Sequence, residues 1–313
     1  MLPELRFFGT EAVASALPWP ALIAAIEDIV VTKGASAPER TVHSIPVPGG
    51  ADAALLLKPG WVIGDVIAVK VVTFFPDNGE LELPTVNAGV VLFDGSNGTF
   101  LGACDGNELT TRRTAAASAV AAKRLARVDA KRLLVVGTGA LSPMMAQAHS
   151  AVRSFGVVEV WGRNTVKAQR VANHLVTLDI NAVVADDLDE AVAGADVISC
   201  VTGAESPLVK GALVKAGAHV DLVGAFTPQM RESDDDVIRR GTIFVDTYED
   251  GILAGDLAQP LAAGLIDRDD LVADLRGLIA GDHPGRTSDE QITVFKSAGF
   301  ALEDVAAASL VFD

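Results

Sequence analysis

Leu133-Leu134-Val135-Val136 runs straight into Gly137-Thr138-Gly139-Ala140-Leu141-Ser142, and a helical pattern follows from about Met144. Four aliphatic residues in a row predict a buried strand, so the glycines fall between a strand and a helix, as a dinucleotide fingerprint requires. Gly137 permits the tight turn and Gly139 lets the backbone approach a pyrophosphate. The amides opening the helix, at Ala140 and Leu141, are placed to bind its phosphates. Ser142 stands where a third Gly or Ala is usual. Alone, the pattern would also suit an ordinary strand-to-helix turn. The downstream chain adds weight: Val157 to Trp161, Ala182 to Ala185, Val197 to Val201, His219 to Val223 and Ile243 to Asp246 read as further short strands alternating with helical stretches. That alternation predicts an α/β fold with a Rossmann-type, doubly wound parallel sheet.

The end of the second strand bears on the cofactor, because a carboxylate there suits the ribose hydroxyls of NAD and an arginine suits a 2′-phosphate. Here it reads Trp161-Gly162-Arg163-Asn164-Thr165. Arg163 can pair with the phosphate while Asn164 and Thr165 donate hydrogen bonds, although a solvated loop arginine would look the same. Glu159, inside the strand, is a poorer ribose acid. NADP(H) is therefore the preferred cofactor, with NAD(H) admissible.

Upstream, the pattern changes to one helix near Trp19 to Lys33 and β-rich segments at Arg40 to Val47, Ala53 to Leu57, Val66 to Phe75 and Ala88 to Phe93. Asp94-Gly95-Ser96-Asn97-Gly98 predicts a hairpin joining the last of these to Thr99 to Cys104. Thr110 and Thr111 are placed to cap an Ala-rich helix reaching about Arg127. After about Gly285 the chain reads as a short loop and then a helix, Ser297 to Leu310. The division expected is a discontinuous α+β substrate domain, residues 1–112 with 286–313 returning to it, and a nucleotide domain over 113–285.

Composition narrows the function. The 313 residues carry a formal charge of −16, which disfavours a nucleic acid partner because a phosphate backbone calls for a basic footprint. Cys104 and Cys200 lack partners at metal-ligand spacing and read as buried thiols in a cytoplasmic protein. The N-terminal Met1-Leu2-Pro3-Glu4-Leu5-Arg6 lacks an export pattern, and no run of eighteen apolar residues predicts a membrane span.

Lys70 lies in Val66-Ile67-Ala68-Val69-Lys70-Val71-Val72, apolar on both sides. A lone buried ammonium is costly unless it meets an anion, while an edge-strand lysine could keep its head in water. Arg112 and Arg113 stand near a predicted helix start, where the dipole disfavours cations and an anion would justify them. Arg40 is uninformative by itself. The five histidines show no metal-ligand spacing, and no Ser or Cys lies in a nucleophile motif.

Several stretches together resemble the ornithine cyclodeaminase/mu-crystallin family: Ala68-Val69-Lys70-Val71-Val72, Asp105-Gly106-Asn107-Glu108-Leu109-Thr110-Thr111-Arg112-Arg113-Thr114-Ala115-Ala116, the Gly137-Thr138-Gly139-Ala140 loop, and Ile292-Thr293-Val294-Phe295-Lys296-Ser297. The resemblance implies a homodimer whose Arg40, Lys70 and Arg113 bind the substrate carboxylate or lie beside the nicotinamide, with Lys70 catalytic. It implies that Thr85, Thr202, Val223 and Ser297 line the nicotinamide half of the cofactor, and it leaves Arg112 on the surface. Cyclodeaminases carry an Asp shortly after a Val-Gly-Gly run, whereas this chain reads Asp221-Leu222-Val223-Gly224-Ala225-Phe226-Thr227-Pro228. Phe226 transfers no proton, which speaks against ornithine cyclisation. The run is instead similar to members that reduce Δ1-pyrroline-2-carboxylate and Δ1-piperideine-2-carboxylate to L-proline and L-pipecolate. An alanine dehydrogenase-like activity and an NADPH-dependent binding role resembling mu-crystallin are the alternatives the resemblance leaves open.

Overall fold

The computed structural model describes residues 4–313; the reading of Met1 to Pro3 lies outside them. The chain forms two compact units, residues 1–113 with 300–313 and residues 114–299. The expected return at 286 thus falls at Phe300. Residues 286–299 belong to the second unit because they carry a strand of its sheet.

The first unit contains strand β1 (Arg6–Phe8), helices α1 (Thr10–Ala16) and α2 (Trp19–Val31), and strands β2 (Ala35–Ser36), β3 (Thr41–Ile45), β4 (Ala53–Val62), β5 (Val66–Phe74), β6 (Val86–Asp94) and β7 (Phe100–Asp105). The sheet order is β1-β7-β6-β5-β4-β2, with β3 also on β4. The pairings are antiparallel except β1 with β7. The hairpin predicted at residues 94–98 joins β6 to β7, with Asp94 Oδ1 accepting the Ser96 amide at 2.7 Å. The C-terminal helix, Ala301–Phe312, packs on β4, β5 and α2. Period-2 alternation sends Val66, Ala68 and Lys70 to one buried face of β5, and Lys58 and Gly60 to the buried face of β4. Gly60 permits the close approach of the helix: a Cβ there would lie 2.8 Å from Val305 Cγ2.

Helix α3 (Gly106–Leu125) starts one turn earlier than Thr110 and Thr111 suggested. The carboxylate of Asp105 accepts the Glu108 amide at 2.7 Å and so satisfies the first turn in their place.

In the second unit, strands β8 (Arg132–Val136), β9 (Val157–Trp161), β10 (Ala182–Val184), β11 (Val197–Cys200), β12 (His219–Leu222), β13 (Thr242–Val245), β14 (Leu271–Asp274) and β15 (Thr293–Lys296) form one sheet in the order β10-β9-β8-β11-β12-β15-β13-β14. Every pairing is parallel. Among the intervening helices, α4 (Leu141–Val152) follows β8, α5 (Thr165–Val176) follows β9, and a further helix (Gly255–Ala262) lies between β13 and β14. Strands β8, β11 and β12 are buried on both faces, which explains the unbroken apolar run of Leu133 to Val136 in β8. The order reverses between β8 and β11, a topological switch point. The last helix was expected from Ser297 but begins at Ala301. Asp246 Oδ2 captures the Ser297 hydroxyl at 3.1 Å and the amides of Ala298 and Gly299, holding residues 297–299 outside any helix.

Among the described residues no single helix is long and apolar enough to cross a membrane. Both cysteines are buried thiols, and burial pushes Cys104 up to about 12.

Candidate active site

In the second unit, the loop after β8 opens onto a cavity of about 660 Å³. Gly137, Gly139, Arg163, Asn164 and Thr202 all line it. Gly137 has φ +135°, and a Cβ there would stand 2.7 Å from the Val201 carbonyl, so this turn excludes a side chain. Around Gly139 the space is open, which leaves the backbone accessible to a ligand. Ser142, in place of the third glycine, turns its hydroxyl inward to the Gly137 carbonyl at 2.9 Å, closing the loop onto itself. Ala140 and Leu141 lead into α4.

At the end of β9, Arg163 is exposed and faces this cavity, and Lys167 adds a second cation that the sequence reading missed. Its signal was its place in the first turn of the helix that follows Arg163 and Asn164. Asn164 uses its side-chain oxygen to cap α5, accepting the Lys167 amide at 3.0 Å, which leaves its NH2 group as the donor. Glu159, the poorer candidate for a ribose acid, pairs with Arg132 at 2.9 Å. The loop geometry, the open glycine and the paired cations fit a dinucleotide phosphate.

The first unit assembles a second arrangement. Lys58 and Lys70 are direct cross-strand partners on the buried face of β4 and β5. The C-terminal helix brings Asp304 over them, with Lys70 Nζ 2.8 Å from Oδ1 and Lys58 Nζ 4.0 Å from Oδ2. From α3, Arg113 places Nε 2.8 Å from Asp304 Oδ1 and pairs through its terminal nitrogen with Glu303. Lys70 also donates to Thr110 Oγ1 at 3.3 Å, so the threonine expected to cap a helix lies against the cationic cluster. Arg40, just before β3 and only partly buried, acts electrostatically on Lys58. Sequence reasoning thus named Arg40, Lys70 and Arg113, which come together, but missed Lys58, Glu303 and Asp304.

Among the described residues, Arg40, Lys58, Lys70 and Arg113 gather near the carboxylates of Glu303 and Asp304. Burial would raise the Asp304 carboxyl, but Arg113, Lys70 and Lys58 outweigh it and hold it at about 2. Lys70 is 2 % exposed. Burial, reinforced by Arg113 and Lys58, brings its ammonium well below the usual lysine range despite the pull of Asp304. Arg112 is not the free surface residue expected: it pairs with Glu108 and lies over the Trp19 ring, 5.4 Å from its centroid.

The remaining residues are scattered through both units. Thr85 precedes β6 in the first unit, where its carbonyl accepts the Phe75 amide. In the second, Val223 follows β12, Ser297 follows β15, and Thr202 follows β11. Phe226 is 51 % exposed and has no proton to offer at the position that cyclodeaminases give to Asp.

The parallel sheet, its switch point and the glycine loop define a Rossmann-type dinucleotide-binding protein. Residues 28–313 match the ornithine cyclodeaminase/mu-crystallin family, and the chain belongs to it. It is 35 % identical over 283 residues to the Δ1-pyrroline-2-carboxylate reductase of Colwellia psychrerythraea, covering 89 % of each chain. It is 38 % identical over 250 residues to the mouse (Mus musculus) ketimine reductase mu-crystallin, covering 80 % of this chain and 76 % of the relative. The structure of Thermococcus litoralis Δ1-pyrroline-2-carboxylate reductase in complex with NADH and L-proline superposes with a TM-score of 0.92 at 30 % identity, covering 100 % of this chain and 96 % of that one.

Proposed function

We propose that this chain is an NAD(P)H-dependent oxidoreductase acting on C–N bonds, which reduces the cyclic imino acids Δ1-pyrroline-2-carboxylate and Δ1-piperideine-2-carboxylate to L-proline and L-pipecolate. The observation carrying this reading is the buried cluster in which Lys58, Lys70 and Arg113 converge on Asp304, a concentration of cationic donors that suits a small carboxylate. The similarity to named imine reductases over most of the chain supports the same reaction.

Arg40, Lys70 and Arg113 hold the substrate carboxylate. Asp304 orients Lys70 and Arg113, and Thr110 Oγ1 accepts a second Lys70 N–H, leaving the third N–H for the ligand. In so dry a setting these charge-assisted bonds are stronger than they would be in water. With its affinity for protons lowered, Lys70 can donate to the imine nitrogen and make the adjacent carbon electrophilic. Bound NAD(P)H supplies the hydride. Its phosphates fall to the amides after Gly137, at Gly139, Ala140 and Leu141; its 2′-phosphate falls to Arg163 and Asn164; Thr85, Arg113, Thr202, Val223 and Ser297 are assigned to the nicotinamide side. Arg163 and Lys167 favour NADPH over NADH. A cytoplasmic homodimer is the expected state, which sedimentation equilibrium checks for oligomer size.

Replacing Lys70 with Ala tests the assignment. Turnover should fall at least about a hundredfold, the scale of a lost general acid, with NADPH affinity preserved. Near-normal turnover would remove Lys70 from the mechanism.

A further inference from the structure

Glu232 is 1 % exposed and follows none of the fingerprints that point to a nucleotide. Its Oε1 accepts the Thr202 amide at 2.6 Å and the Thr202 hydroxyl at 3.0 Å. Its Oε2 accepts the amides of Gly224 at 2.7 Å and Ala225 at 3.2 Å. One carboxylate therefore ties the segment leaving β11 to the segment leaving β12. The fit is close: a Cβ on Gly224 would lie 2.2 Å from the backbone nitrogen and oxygen of Thr202 and 2.6 Å from Glu232 itself. Glu232 is fixed in turn, since its amide donates to Asp256 Oδ1 at 2.9 Å and Asp256 pairs with buried Lys296 at 3.3 Å.

The location gives this network its meaning. A dinucleotide crosses the carboxyl ends of the strands at the switch point between β8 and β11, with its adenosine side towards β9. Arg163 stands at the end of β9, so the other half of the molecule extends over the ends of β11 and β12. Those are the two segments that Glu232 joins.

We propose that Glu232 is a positioning residue for the cofactor, locking the loops after β11 and β12 into the shape that receives its nicotinamide half. The inference rests on the nucleotide reading of this cleft. It predicts a division between ligands that general damage to the fold would not produce.

The test is Glu232→Gln, which keeps the shape and replaces one acceptor oxygen with a donor. Hydrogen exchange in the free protein should quicken at the amides of Thr202, Gly224 and Ala225. Fluorescence titration should show NADPH bound about tenfold more weakly, the scale expected for lost bonds to a charged acceptor. Binding of 2′-phospho-ADP-ribose, which lacks the nicotinamide, should stay unchanged. If Gln at 232 prevents folding, Glu232→Asp is used, with the same split between ligands expected. Equal weakening of both ligands, or no weakening of NADPH, overturns the proposal. Wild-type protein that binds neither ligand overturns the nucleotide reading and this inference with it.

Discussion

Lys70 is a constraint on the fold and, in the proposed reaction, the proton donor. An ammonium buried between apolar neighbours needs a partner, and Asp304 meets it at 2.8 Å from the other end of the chain. That partner was illegible in the sequence because Leu302-Glu303-Asp304-Val305 has the look of a solvated helical turn. Lys58 escaped for a related reason: its importance comes from pairing opposite Lys70, a register that only the assembled sheet defines. Lys58→Met should raise the proton affinity of Lys70, since it removes a like charge and frees Asp304 for it. The basic limb of the kcat/KM pH profile should move to higher pH, and an unmoved limb would separate Lys58 from the chemistry. At the other site, Arg163→Ala should raise the KM for NADPH about tenfold and leave that for NADH nearly unchanged, the scale of a charge-assisted bond. Unchanged KM values for both cofactors would contradict the NADP reading.

At the scale of elements, most strands could be read from their apolar runs, while their ends and partners depended on contacts distant in sequence. Strand β15 is the clearest case. By local pattern residues 293–296 fall in the short loop expected after Gly285, yet they fill the gap between β12 and β13. A parallel sheet sets its order by crossovers, and four residues of local pattern do not encode that order. The C-terminal helix is positioned by the space over Gly60. Gly60→Leu should push this helix away from β4, carry Asp304 off the two lysines and lower stability by about 1 to 3 kcal/mol, the usual cost of overpacking. Turnover should drop more than tenfold with nucleotide affinity in the second unit kept. Chemical denaturation and NADPH titration on the same variant check both parts, and wild-type turnover would mean that the helix does not set the site.

For the whole molecule, pH dependence follows from titratable groups buried in the second unit. His219 is fully buried; burial holds it at about 3, against an ordinary 6.5. Its folded pKa is depressed, so between these values the unfolded chain takes up the proton that the folded one refuses. Stability from this group is present above pH 6.5 and is lost as the pH falls, by up to about 1.4 kcal/mol per unit. Glu232 works in the opposite sense, because burial raises it from 4.5 to about 7 and the folded state binds its proton first. The two slopes oppose each other above pH 4.5. The His219 contribution therefore appears in the difference between wild type and His219→Asn, which should shift in favour of the variant on acidification. A pH-independent difference in denaturation free energy would contradict it.

The central claim concerns chemistry, and the direct measurement is NADPH oxidation at 340 nm by wild-type protein. Δ1-pyrroline-2-carboxylate and Δ1-piperideine-2-carboxylate are compared with pyruvate plus ammonia, with NADH as the cofactor control. The account predicts rapid, saturable oxidation with the cyclic imines and little with pyruvate and ammonia. Folded, NADPH-binding protein that turns over neither imine would contradict it.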